Sequence, residues 1–193
     1  MVQTRKTAAV DRPLPPLADG LYAPQGLDAG IAALRAEPVF AAILERAGPP
    51  CFRRRRNGFA TLLHIILEQQ VSIDAAAAMH RRLSSLCRPL APEPFLALDD
   101  VTLRACGFSR QKMGYARDLA AKAAGGRFDF ASLASADDEA AQAALRSLKG
   151  IGRWSAEIYL IFALGRPDIW PAADLGLQVA IGECFGPTTS VLG

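Results

Sequence analysis

In Leu148-Lys149-Gly150-Ile151-Gly152-Arg153-Trp154, two glycines one residue apart separate two segments that both read as helix. Upstream, Ala141, Ala144, Leu145 and Leu148 recur at helical spacing, as a single buried face requires. Ser135, with Asp138 three residues on, offers that helix a capping-box start. Downstream, Trp154, Ile158 and Ile161 form a second apolar stripe, which Gly165 and Pro167 bring to a stop. A Gly-Ile-Gly turn permits positive φ and close backbone approach, with Ile151 anchored in the core. The amides of the turn and of the following helix's first turn then point outward. There, unpaired N–H groups and the helix dipole attract an anion. The candidate anion-gripping residues are Lys149, Gly150, Ile151, Gly152 and Arg153. Read on its glycines alone, the segment is equally an ordinary tight turn between helices.

Asp174 follows in Pro171-Ala172-Ala173-Asp174-Leu175-Gly176-Leu177, near the expected start of a further helix. A carboxylate there is kept ionised by the dipole and by backbone amides. It can serve only as an N-cap. It can also stabilise a positive charge developing on a sugar ring, if it faces a cleft.

The rest of the chain bounds these readings. At 193 residues, 51% of them hydrophobic, one domain with a substantial core is expected. The net charge of +3 is modest for a nucleic-acid binder. The run Arg53-Arg54-Arg55-Arg56 either meets phosphates or is a solvated loop. Cys51, Cys87, Cys106 and Cys184 form no CxxC pair, which argues against a zinc site or a disulfide framework. No metal site is expected. Reduced thiols, no basic-then-apolar leader and no apolar run of membrane-spanning length point to a cytoplasmic protein that avoids membranes.

Residues 1–27, with Pro13, Pro15, Pro16 and Pro24, read as an irregular lead-in; residues 28–193 read as one helical domain. Asp28, Ser72, Asp99 and Ser109 are placed to cap helices, and Pro38 to open one. The segment from Gly58 to Glu68 is apolar enough to be a buried helix, with His64 as a core histidine. No alternating strand pattern is present. The fold class is all-α, with eight to ten helices expected.

Three segments together carry a resemblance. They are Leu148–Glu157 with Phe162–Asp168 and Pro171–Leu177, Phe59–Ser72 with its Gln69-Gln70-Val71-Ser72 end, and Gly107–Lys112 followed by Tyr115-Ala116. From about residue 28 to 180 the chain resembles the helix-hairpin-helix DNA glycosylases, most nearly the 3-methyladenine DNA glycosylase II branch. The resemblance implies two helical lobes flanking a DNA-facing cleft. It also implies base-excision repair of alkylated purines in double-stranded DNA by a monomer that requires no cofactor. On it, Asp174 is the catalytic carboxylate and the hairpin holds the DNA backbone, with a monovalent cation on the hairpin carbonyls. Trp154 lines the pocket for an extruded base and Gln70 is the duplex wedge. Trp154 read alone is also a core residue, and Gln69 and Gln70 read alone are also helix C-caps. Relatives that nick the strand place a lysine at the Trp154 position, so the resemblance implies a monofunctional enzyme. Lys112 and Tyr115 receive no chemistry. Family members continue further beyond the Asp174 helix than this sequence does, so a truncated C-terminal part is expected. A non-catalytic or inactivated helix-hairpin-helix DNA-binding module is the alternative.

Overall fold

The computed structural model describes residues 27–50 and 54–186. The expected lead-in up to residue 26, and Cys51 and Arg53, lie outside them. Described residues form eleven α-helices and one π-helical turn, with no strand. The helices are α1 (Leu27–Arg35), α2 (Pro38–Ala47), α3 (Phe59–Glu68), α4 (Ile73–Leu86), α5 (Pro92–Leu96) and α6 (Asp100–Ala105). After them come α7 (Arg110–Ala124), α8 (Phe130–Ser135), α9 (Asp138–Arg146), α10 (Arg153–Tyr159), the π-helical turn Leu160–Leu164 and α11 (Leu175–Phe185). The count exceeds the eight to ten expected. Short α5 and α8 show too little periodicity to be read, and each is fixed by one buried side chain, Phe95 or Leu133.

Helix α3 is buried along almost its whole length, with Thr61, His64 and Glu68 as its polar stripe, and it forms the centre of the molecule. Leu62, Leu63, Ile65, Ile66 and Leu67 have no accessible surface. Around them pack Met113, Ala116, Leu119 and Ala120 of α7, Ala141 and Leu145 of α9, and Ala156, Ile158 and Tyr159 of α10. Phe95 meets Phe59 edge-on at 5.8 Å between ring centroids. Side-chain caps start several helices: Ser72, Asp99 and Ser109 accept from the amides of Ala75, Thr102 and Lys112. The start of α9 differs from expectation. Asp137 caps it through the Ala140 amide, while Ser135 ends α8. Asp has the same short acceptor reach as Ser and sits one residue before the helix.

Helices α3 and α10 run antiparallel and carry the functional elements at one end. At the other end, the Gly58 amide donates to the Tyr159 hydroxyl (2.7 Å), which donates to Asn57 Oδ1 (2.6 Å). Helices α1, α2 and α11 stand apart from this core. Phe40 of α2 meets Phe185 of α11 edge-on at 5.5 Å. Neither α2 nor α11 has a buried residue, although α11 is apolar along its length.

Candidate active site at the hairpin

Helix α9 delivers the chain to the hairpin with Leu145 and Leu148 buried, and Ile151 is buried between the two glycines as expected. Gly150 has φ +80°. A Cβ there would lie 2.2 Å from the Tyr115 ring, so the turn needs glycine for conformation and for space. At Gly152 φ is −85°, and a Cβ would meet nothing within 4 Å. That glycine therefore answers no need inside the protein.

The hairpin amides divide into two sets. Ile151 N–H donates to Leu148 O at 3.1 Å and is spent within the turn, contrary to the expectation that the turn's amides all face outward. The Asp118 carboxyl is held below the usual carboxylate range, first by Lys122 and in part by the backbone N–H and charge of Lys149. At the α10 end, Gly152 is the N-cap and supplies no side-chain cap. The first-turn amides of α10 are thus left to an outside acceptor. Lys149 and Arg153 are exposed. Arg153, however, turns back along its own helix, its Nε 2.7 Å from Oε1 of the buried Glu157.

Asp174 reaches the same place from the loop after the π-helical turn. Its Oδ2 accepts the Trp154 indole N–H at 2.8 Å, and its Oδ1 accepts the Leu177 amide at 3.0 Å. It is therefore the N-cap of α11, as one sequence reading had it, and also the direct partner of Trp154. The Trp154 bond, followed by the Leu177 and Gly176 amides, holds its carboxyl below the usual range against the opposing effect of partial burial. Each oxygen retains an acceptor site for a further partner. Trp154 itself is half-buried, packed on the core along one side.

Gln70 ends the α3 turn exposed, at φ +53°, among the described residues the only non-glycine with positive φ. Its neighbour Gln69 is the C-cap residue of α3, as one sequence reading had it. Its side-chain amide crosses to the hairpin and donates to Gly150 O and Ser155 Oγ, each at 2.9 Å. Lys112, buried, donates from Nζ to Leu67 O at 2.7 Å, and burial pushes its pKa down. Sequence reasoning gave Gln69, Lys112 and Tyr115 no role here. A glutamine pair at a helix end was the only signal for the first, and none pointed to Tyr115.

The arginine run is placed elsewhere. Arg54, Arg55, Arg56 and Arg166 line a cleft of about 670 Å³ at the Gly58 end of α3. The hairpin lies toward the opposite end of α3, a ten-residue helix about 15 Å long, and Arg55 reaches along it. Arg55 grips Glu68 with both terminal nitrogens, at 3.0 and 2.8 Å. His64 bonds the same carboxylate at 3.0 Å, as a core histidine.

Comparison with known proteins gives the family. The sequence profile of the HhH-GPD superfamily base excision DNA repair protein matches residues 63–190. DNA-3-methyladenine glycosylase 1 of Schizosaccharomyces pombe is 31% identical over 128 residues, covering 64% of this chain and 56% of that protein. A DNA-3-methyladenine glycosidase from Bacillus halodurans superposes with a TM-score of 0.68 at 32% identity, over 84% of this chain and 75% of that one. The S. pombe 3-methyladenine DNA glycosylase solved with abasic DNA gives a TM-score of 0.72 at 27% identity, over 80% and 79% of the two chains. The chain spans roughly half the length of the curated relatives it matches.

Proposed function

The chain belongs to the HhH-GPD superfamily of base excision DNA repair proteins, and from that membership we propose that it is a monofunctional DNA glycosylase releasing alkylated purines from duplex DNA. The observation that carries this reading is the Trp154–Asp174 hydrogen bond. It places a carboxylate that is ionised at neutral pH beside a half-buried aromatic face, next to an uncapped helix N-terminus. In this reading, the hairpin and first-turn amides of α10 hold a phosphate. The extruded purine stacks on Trp154, most strongly when methylation has made it cationic. As the N-glycosidic bond breaks, the Asp174 carboxylate stabilises the oxocarbenium-like sugar, and water completes the displacement at C1′. The products are the free base and an abasic site. Strand cleavage needs an amine at C1′. Trp154 supplies none, and Lys149 is exposed on the hairpin with its backbone turned toward Asp118.

Gln70, exposed on a strained turn, serves as the wedge that fills the duplex after extrusion. A monovalent cation on the hairpin would use the carbonyl lone pairs that internal hydrogen bonds leave free. Leu148 O and Gly150 O each already accept a hydrogen bond. The protein acts as a monomer on cytoplasmic DNA. The alternative is a DNA-binding module without catalysis, favoured by one feature: the helix that Asp174 caps has no buried residue.

Alkylated duplex DNA carrying labelled methylpurine separates the two. A glycosylase releases the base and leaves strands intact until alkali or heat, with no borohydride-trapped protein–DNA adduct. A binding module retains DNA and releases nothing. A panel of 3-methyladenine, 7-methylguanine, hypoxanthine and ethenoadenine then defines the preferred lesion.

A further inference from the structure

The second glutamine of the Gln69-Gln70 pair faces solvent, while the first is turned into the protein. Gln69 uses both amide hydrogens at the hairpin, one on Gly150 O and one on Ser155 Oγ, across sequence separations of 81 and 86 residues. It is also the residue at which α3 stops: its backbone is extended, with ψ 126°. The next residue is Gln70 at φ +53°, a conformation that persists in a non-glycine residue only when its surroundings over-determine it. Helix α7 braces the same junction twice. Lys112 Nζ holds the Leu67 carbonyl, and the Tyr115 ring lies against Gly150.

We propose that Gln69 is a positioning residue that locks the hairpin to the Gln70 turn, so that backbone grip and duplex wedge move as one rigid piece. The inference rests on the glycosylase reading for what the piece does, but the lock itself is a property of the free protein. Leu at position 69 occupies a similar volume and donates nothing. Gly150 O and Ser155 Oγ then lose their partner in a partly buried site. Glu at that position sets a carboxylate against the Gly150 carbonyl. Ser155→Ala removes one of the two bonds with almost no change of shape.

Two measurements on the full chain test this. In hydrogen exchange without DNA, the Ile151 amide is the reporter, because it is bonded within the turn to Leu148 O. Gln69→Leu should speed its exchange by about tenfold or more, with Ser155→Ala intermediate. The second is a double-mutant cycle between Gln69→Leu and Gln70→Ala, read in duplex affinity and in base release. Locked elements are coupled: loss of the wedge should cost roughly tenfold in base release when Gln69 is present and little when it is Leu. Unchanged exchange at Ile151 overturns the proposal, and so do additive effects in the cycle. A general loss of folding stability with additive effects counts against it too, since a merely structural glutamine behaves that way. Should the wild-type chain release no base, the glycosylase reading fails, while exchange and the affinity cycle still decide whether Gln69 is a lock.

Discussion

Asp174 and Trp154 share one hydrogen bond, and that bond connects the electrostatics of the site to its pH dependence. The indole N–H is the leading cause of the low carboxyl pKa. A carboxylate whose folded pKa lies below its ordinary 3.8 stays ionised as pH falls through that value. Activity limited by its ionisation therefore persists into acid. Trp154→Phe keeps an aromatic face but deletes the donor. The acid limb of its kcat/KM profile should move to higher pH than the wild type's, while methylpurine stacking is largely kept. An unmoved limb would show that the indole N–H does not control Asp174. Asp174 also illustrates what residue types can and cannot disclose. Its position after a proline turn and before an apolar segment suggested both an N-cap and a catalytic group. The fold shows the N-cap, through the Leu177 amide, and a second bond, to the Trp154 indole, with one oxygen for each partner.

At the scale of the hairpin, the two glycines separate in a way that the sequence does not reveal. Gly150→Ala must force both the Tyr115 ring and a positive φ. It should cost roughly 2 kcal/mol or more of stability together with DNA affinity. Gly152→Ala meets no protein atom. It should leave the thermal midpoint within about a degree or two of wild type, a surface-like effect. A Cβ at Gly152 would nevertheless stand beside the amides assigned to a phosphate, so duplex affinity should fall, and equally for all sequences. Calorimetry paired with binding titrations checks both variants. Equal destabilisation by the two, or unchanged affinity for Gly152→Ala, would remove the phosphate role from this turn.

Elements with strong local signals were legible before the fold was known. The buried α3, the caps Ser72, Asp99 and Ser109, and the stop at Gly165 all occur where side-chain chemistry places them. What was not legible is long-range. Tyr115 on Gly150, Gln69 on the hairpin and Lys112 on Leu67 O are contacts between segments tens of residues apart, and no local pattern encodes them. The position of the arginine run is long-range for the same reason: the antiparallel pairing of α3 and α10 sets Arg54, Arg55 and Arg56 along a cleft at the Gly58 end of α3.

For the molecule as a whole, acid should act through the α3–α4 interior. His80 packs against His64 with the rings tilted by 48° and 4.5 Å between centroids. Burial, followed by the charges of His64 and Arg55, pushes its pKa down from 6.5 to about 4. Burial works to raise the Glu68 carboxyl, but His64 and Arg55 outweigh it and lower the pKa from 4.5 to about 2. In both windows the unfolded chain binds more protons than the folded one, so stability falls on acidification. The His80 contribution is complete above pH 6.5 and is lost as pH drops toward 4; that of Glu68 is complete above 4.5 and is lost toward 2. Denaturation midpoints measured across this range should decline in both windows, and His80→Gln should flatten the upper one. A wild-type profile that is flat between pH 6.5 and 4 would contradict a half-buried His80 kept neutral by its surroundings.

In the proposed function, the helical scaffold brings Asp174 to a sugar held at the hairpin. Single-turnover release of labelled methylpurine from alkylated duplex, compared between the wild type and Asp174→Asn, tests it most directly. Asn keeps the side-chain shape and an oxygen for one of its partners but carries no charge. By that placement the wild type should release base, Asp174→Asn should reduce release by about a hundredfold or more, and duplex affinity should stay within a few-fold. Comparable turnover by Asp174→Asn, or no release by a wild type that still binds the duplex, would contradict it.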